Sequence, residues 1–181
     1  VYVEKTLANS VQQAKRMRDA AHHDAGEHVI QVGHQACSGG HMNDVRQFLS
    51  RTERMGRISA LAMRHYRNMP HGKAQWARPA LMTHDLTPNN VDYAAFANSA
   101  DAFDAHRFIH WRYFWEYSGG GVTEYMSQQL AFWYHALQLE IPVSAAMTGG
   151  NFLWDDGRET PDTMDVALTQ PEGMLVSWSS G

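Results

Sequence analysis

Apolar positions in this chain fall into two helical stripes and a few strand-like runs, and their order predicts the fold. Val1-Tyr2-Val3 opens an extended apolar run that ends in the oppositely charged Glu4 and Lys5, and it reads as a strand. Ser10 is placed to cap a helix with Gln13 as the other half of a capping box, while Val11, Ala14, Met17 and Ala21 form a stripe that stops before Gly26. His28 to Gly33, short and rich in branched residues, reads as a buried strand. Strand, helix, strand is one crossover unit of a parallel sheet.

After the loop Gln35 to Gly40, Asn43 or Asp44 is expected to cap a second helix with Val45, Phe48 and Leu49 inward and Gly56 closing the turn. Ile58 to Tyr66 is extended. From Asn68 to Trp111 prolines, aromatic and polar residues follow one another without sustained periodicity, which predicts a long excursion with one short helix near Tyr93 to Phe96. Long ordered loops of this kind serve a site or an interface. Beyond Ser118-Gly119-Gly120-Gly121, a second long helix is marked by Met126, Leu130, Trp133 and Leu137 up to the break at Pro142. Asp155-Asp156-Gly157 and Pro171-Glu172-Gly173 are hairpin signals. Met174, Val176 and Trp178 alternate with Leu175, Ser177 and Ser179, as an antiparallel strand requires.

Composition narrows the classes. A chain of 181 residues, 44% hydrophobic, can bury a core for one domain, or for one domain and part of another. Its 15 basic residues are scattered and its formal charge is −4, so it lacks the basic stripe that nucleic acid would need as a partner. No apolar run reaches the roughly 20 residues of a membrane helix, so no membrane partner is expected. The lone Cys37 excludes an intrachain disulfide and fits a reducing, cytoplasmic compartment, with export of the parent left open. The missing initial methionine, together with strands already under way at Val1 and still running near Gly181, predicts a piece cut from a longer chain.

Candidate chemistry is sparse until it is taken together. Glu124 and Gln128 are four apart, with Ala131 three further on, so all three share one stripe near the start of the second long helix. That spacing can face a pocket, but it fits an ordinary solvated face more often. His106 and His110 are also four apart, but no cysteine or carboxylate joins them at ligand spacing, so no metal is expected. The Ser118 to Gly121 turn lacks the lysine and threonine of a phosphate loop.

Set beside Lys5, the pattern resembles the Gfo/Idh/MocA family of glucose-fructose oxidoreductases and inositol dehydrogenases, over nearly the whole chain. Glu4-Lys5-Thr6 is similar to the family's Glu-Lys-Pro, Gln31-Val32-Gly33-His34-Gln35 to the segment that closes its nucleotide domain, and Ser118 to Glu124 to the glycine-rich approach to its catalytic helix. Trp76 to Pro79, Asp85 to Pro88, His106 to Phe108, Trp111 to Tyr113 and Pro161 to Met164 are similar to stretches of one bacterial branch.

The resemblance implies an α/β chain. Residues 1–33 would be the tail of a Rossmann-type parallel sheet whose glycine-rich first turn lies upstream, and 34–181 an α+β domain for substrate binding and oligomerisation with a mostly antiparallel sheet. It implies NAD or NADP as cofactor and a sugar, polyol or related hydroxy compound as substrate. Lys5, Glu124 and Gln128 would be catalytic; Glu4, Lys5, Trp111 and Arg112 would bind cofactor, and Tyr66, Asn68, Tyr113 and Tyr117 substrate. Open faces of such sheets associate, so a homo-oligomer is expected.

Departures from the family pattern define the alternatives. Gln128 stands where the family has histidine, and a carboxamide has no proton to exchange; losing a general base costs about 10²–10⁴ in rate. Ala131 replaces an aspartate, Thr6 the proline after the lysine, and Ala36 and Cys37 stand where close relatives carry arginine. These keep in view a family member that binds sugar or partner proteins without turnover, and a glycosidase that uses NAD as a transient oxidant. The isolated chain is expected to bind dinucleotide poorly.

Overall fold

Two sheets organise the described residues. The computed structural model describes residues 1–23, 29–66, 85–97 and 102–181. Strand β1 (Tyr2–Glu4) pairs in parallel with β2 (Gln31–Gly33), Val3 opposite Val32, and helix α1 (Val11–His23) makes the crossover. The capping box forms: Ser10 Oγ accepts the Gln13 amide at 3.2 Å, and Gln13 Oε1 accepts the Asn9 amide at 3.0 Å. The expected burial of this unit is not found. Val11, Met17, Val29 and Ile30 are all exposed, because no second layer covers them among the described residues, and β2 starts at Gln31 rather than His28.

Helix α2 (His41–Leu49) starts ahead of Asn43 and packs on the second long helix; Met42, Val45 and Leu49 form its inner row while Phe48, expected inside, is exposed. The row at i, i+3 and i+7 excludes position 48, one residue off its axis. A short α3 (Thr52–Met55) ends before Gly56, whose φ of +65° suits a residue without a Cβ. Strand β3 (Ala60–His65) follows, then α4 (Tyr93–Ala97) where one short helix was expected. Helix α5 (Ala105–Ile109) is capped by Asp104, which accepts the Arg107 amide at 3.0 Å.

The second long helix begins as a π-helical turn, Val122–Met126, and continues as α6 (Ser127–Leu137), ending at Gln138 in the left-handed region. Strands β4 (Ser144–Gly150), β5 (Thr163–Gln170) and β6 (Met174–Ser180) complete a four-stranded sheet of order β3-β6-β5-β4. The last three strands are antiparallel and β3 runs parallel to β6, so the sheet is mostly antiparallel as expected.

One face of that sheet carries the core. Met63, Met164, Val166, Leu168, Met174, Val176 and Trp178 pack with Met126, and with Leu130, Trp133 and Leu137 of α6. Trp178 is fully enclosed and its indole N–H donates to Gln129 Oε1 at 2.8 Å, which satisfies its one polar atom. Across the other face, Ala62, Ser177, Ala167 and Ala146 stand in one row of small side chains.

The two hairpin signals fare differently. Pro171-Glu172-Gly173 forms a tight turn, with Gly173 at φ +75° donating its amide to Gln170 O at 3.1 Å. Asp155-Asp156-Gly157 is not a hairpin tip but part of the longer connection 151–162. The Asp162 carboxylate accepts the amides of Phe152, Leu153 and Trp154 at 3.2, 3.0 and 3.0 Å, and this anchoring replaces a two-residue turn.

Candidate active site

The chain leaves β1 at Glu4, and Lys5 reaches the π-helical turn that precedes α6. Its Nζ donates to Glu124 O at 3.1 Å and to Glu124 Oε2 at 3.2 Å. Thr6 docks beside it, its hydroxyl donating to Thr123 O at 2.9 Å. Arg112 approaches from the other side, Nε to the same Glu124 Oε2 at 3.2 Å. Gln128 donates to Glu124 O at 3.4 Å. Side-chain exposures of 15% for Lys5, 12% for Glu124 and 28% for Arg112 place this ion triad between core and solvent. Charged hydrogen bonds of that kind contribute on the order of 1–3 kcal/mol.

The π turn is what presents Glu124. The Ser127 amide reaches back five residues to Val122 O, and Ser127 Oγ donates to Thr123 O at 2.5 Å. Such wide single turns recur at functional sites in helices. Upstream, Gly120 has φ +64°, and a side chain built on it would meet Thr160 Cβ at 3.1 Å, so the glycine lets the turn lie against that threonine.

Thr160 also fixes Arg112. It is wholly buried, its hydroxyl donates to Arg112 O at 3.0 Å, and its amide donates to Tyr113 O at 3.0 Å; the Glu159 amide adds a bond to Tyr113 O at 2.8 Å. These bonds hold the 3₁₀ turn Trp111–Tyr113, on which the Arg112 guanidinium carbon lies 4.1 Å from the centre of the Trp111 ring. No sequence signal marked Thr160; the resemblance tag Pro161 to Met164 begins one residue after it.

The remaining expected residues are scattered. Glu4 is exposed, its carboxylate lying over Gly33, where a Cβ would meet Oε2 at 3.1 Å. Tyr66 is 60% exposed and sits beside Gly181. Tyr113 is 3% exposed, with the Arg158 guanidinium 4.2 Å from its ring, and burial pushes its phenol up, opposed by Arg158. Tyr117 belongs to an aromatic group with Phe96 and shares a 3.3 Å hydrogen bond with the Tyr93 hydroxyl; burial and then that bond push its phenol up. Asn68 lies outside the described residues. Gln128 lines a cavity of about 240 Å³ with Ala36, Gln129, Phe132 and Trp133.

Below Tyr113 lies a second ion pair. Arg158, whose side chain is fully enclosed, grips Asp156 with Nε to Oδ1 at 2.8 Å and Nη2 to Oδ2 at 2.6 Å. Burial pushes the Asp156 carboxyl up, but this double bond outweighs it and the net direction is down. The rings of His106 and His110 lie tilted at 39° with centres 4.6 Å apart, and burial and then His106 push His110 down. Among the described residues no group of three or more His, Cys, Asp or Glu side chains could hold a metal ion.

No protein-family model and no curated protein matches the sequence. Solved structures do. The WlbA dehydrogenase of Bordetella pertussis, solved with NADH and UDP-GlcNAcA, is 19% identical with a TM-score of 0.61 over 99% of this chain and 44% of its own. The aldose-aldose oxidoreductase of Caulobacter crescentus, solved with glycerol, is 16% identical with a TM-score of 0.65 over 100% of this chain and 43% of its own. An oxidoreductase domain protein from Kribbella flavida is 16% identical with a TM-score of 0.65 over 99% of this chain and 41% of its own.

This is the fold of Gfo/Idh/MocA-type dehydrogenases. The chain spans about two fifths of the length of these structures, and its four-stranded sheet matches the C-terminal domain of the Gfo/Idh/MocA-type fold. At such identities the likeness is one of fold. Among the described residues no helix is long and apolar enough to cross a membrane.

Proposed function

We propose that this chain belongs to an NAD- or NADP-dependent oxidoreductase that passes a hydride between nicotinamide and the hydroxyl-bearing carbon of a sugar, polyol or related compound. The observation that carries this reading is the meeting of Lys5 and Glu124 across 119 positions of sequence, in a fold shared with dehydrogenases, one of them solved with NADH. Residues 1–33 then finish a dinucleotide domain and 34–181 form the substrate domain.

In this reading Lys5 handles the proton of the reacting hydroxyl. Its amine accepts that proton when the substrate is oxidised and returns it on reduction. Glu124 orients Lys5 by accepting from Nζ, while Gln128 offers a hydrogen bond beside the cavity it lines. Glu4 and Trp111 stand on the cofactor side, where the face of an indole suits a flat ring; Arg112, expected there as well, is assigned to the substrate instead. Bound nicotinamide would supply the hydride chemistry. The row of small residues on the open sheet face supports a homo-oligomer, and the lone Cys37 a cytoplasmic location.

Gln128 favours a second reading, a protein of the same fold that binds sugar without turnover, since its carboxamide bonds its own helix and has no proton to give. A panel of sugars and polyols with NAD and NADP decides between the two. Reduced nicotinamide formed with one of them, and lost in Lys5→Met, supports the oxidoreductase; sugar binding with no reduction of either dinucleotide supports the other.

A further inference from the structure

We infer that the substrate carries a negative charge, a carboxylate or a phosphate, and that Arg112 is the residue that selects it. The inference rests on the oxidoreductase reading and names the substrate class of the same site.

Charge comes first. Lys5 Nζ and Arg112 Nε both donate to one oxygen, Glu124 Oε2, each at 3.2 Å. Once Lys5 has taken up the hydroxyl proton, two cations share one carboxylate and the triad carries one uncompensated positive charge, with Lys5 and Glu124 each more than four-fifths covered. A partly desolvated charge of that kind is costly alone and is offset by an incoming anion.

Geometry says where the anion sits. Glu124 engages only Nε of Arg112, and among the described residues the two terminal nitrogens of that guanidinium have no partner. The group is held over the Trp111 ring, its carbon 4.1 Å from the ring centre, and its backbone is held by the Thr160 hydroxyl, which donates to the Arg112 carbonyl at 3.0 Å. A guanidinium held flat, with its outer edge open, offers two parallel N–H donors, which match the paired oxygens of a carboxylate or phosphate. A neutral sugar hydroxyl matches neither the charge nor the fork.

A phosphate of the dinucleotide has the same chemistry. The substrate is favoured because Arg112 Nε is tied to the same oxygen as Lys5, the residue assigned to the reacting hydroxyl, which keeps the guanidinium within one carboxylate of the reacting group.

Calorimetry on the oxidoreductase that carries this chain tests the inference, with glucuronate, glucose 6-phosphate, glucose and NADH as separate probes. At least one anionic sugar should bind about tenfold or more tightly than glucose at low salt, and the difference should shrink as ionic strength rises. Arg112→Gln should bring the sugars to parity and leave NADH affinity unchanged, whereas Arg112→Lys should keep part of the preference. Equal binding of glucose and both anions by the unsubstituted protein overturns the inference, and the salt series needs no variant to fold. Loss of NADH affinity alone in Arg112→Gln also overturns it, assigning the edge to the dinucleotide. An anionic preference without hydride transfer to any sugar would remove the oxidoreductase reading and leave the charge selection standing; hydride transfer to neutral polyols alone, insensitive to Arg112→Gln, would do the reverse.

Discussion

The hydroxyl of Thr160 donates to the carbonyl of Arg112 at 3.0 Å, although 48 positions separate them. Thr160 also rests against Gly120, so one buried side chain braces both segments of the ion triad, the turn that carries Arg112 and the approach to Glu124.

Thr160→Val keeps the shape and removes that donor. It should cost about 1–2 kcal/mol in chemical denaturation, from the lost bond and the carbonyl left without it. Thr160→Ser should recover most of the loss. Solvent exchange of the Arg112 Nε proton, followed by NMR, should quicken in the valine variant only; equal exchange in both variants would remove Thr160 from any role at the site.

Gly120→Ala tests the same brace from the other side. A Cβ at φ +64° is strained and would press on Thr160 Cβ at 3.1 Å, so a loss of about 1–2 kcal/mol is expected. The same change at Gly40, with nothing within 4 Å of its Cβ position and φ −55°, should be nearly silent. Similar losses at the two glycines would show that the contact with Thr160 has no weight.

Acid stability should depend on Asp162. Burial pushes its carboxyl up, but three backbone amides and the Thr163 hydroxyl prevail and the net direction is down. A lowered carboxyl stabilises the fold above its unfolded value of about 3.9, and the gain fades as pH falls through the folded value. Unfolding free energy measured from pH 6 downward should therefore drop below about pH 4, and Asp162→Asn should be less stable at neutral pH with a flatter acid limb. An unchanged limb in Asp162→Asn would contradict the assignment.

Local signals were the legible ones. The capping box at Ser10, the alternation from Met174 to Trp178 and the stripe of Leu130, Trp133 and Leu137 each depend on neighbours within one element, so spacing alone reveals them. Lys5 and Glu124 were legible only through resemblance, since nothing local links positions 119 apart. What escaped is tertiary in origin. Arg112 was expected at cofactor, and no spacing tells that its nearest partner is Glu124 Oε2. Thr160 is a polar residue inside a turn-rich stretch, and only folding puts it under Arg112. Asp155-Asp156-Gly157 carried the right chemistry for a hairpin, but the amides that Asp162 gathers set a longer path.

Hydride transfer by Lys5→Met in the oxidoreductase that carries this chain is the most direct test. The rate should fall by about 10²–10⁴ with its best substrate, read at a temperature where the variant is still folded, because losing the bonds to Glu124 also lowers stability. An unchanged rate would show that the amine held 3.2 Å from Glu124 handles no proton.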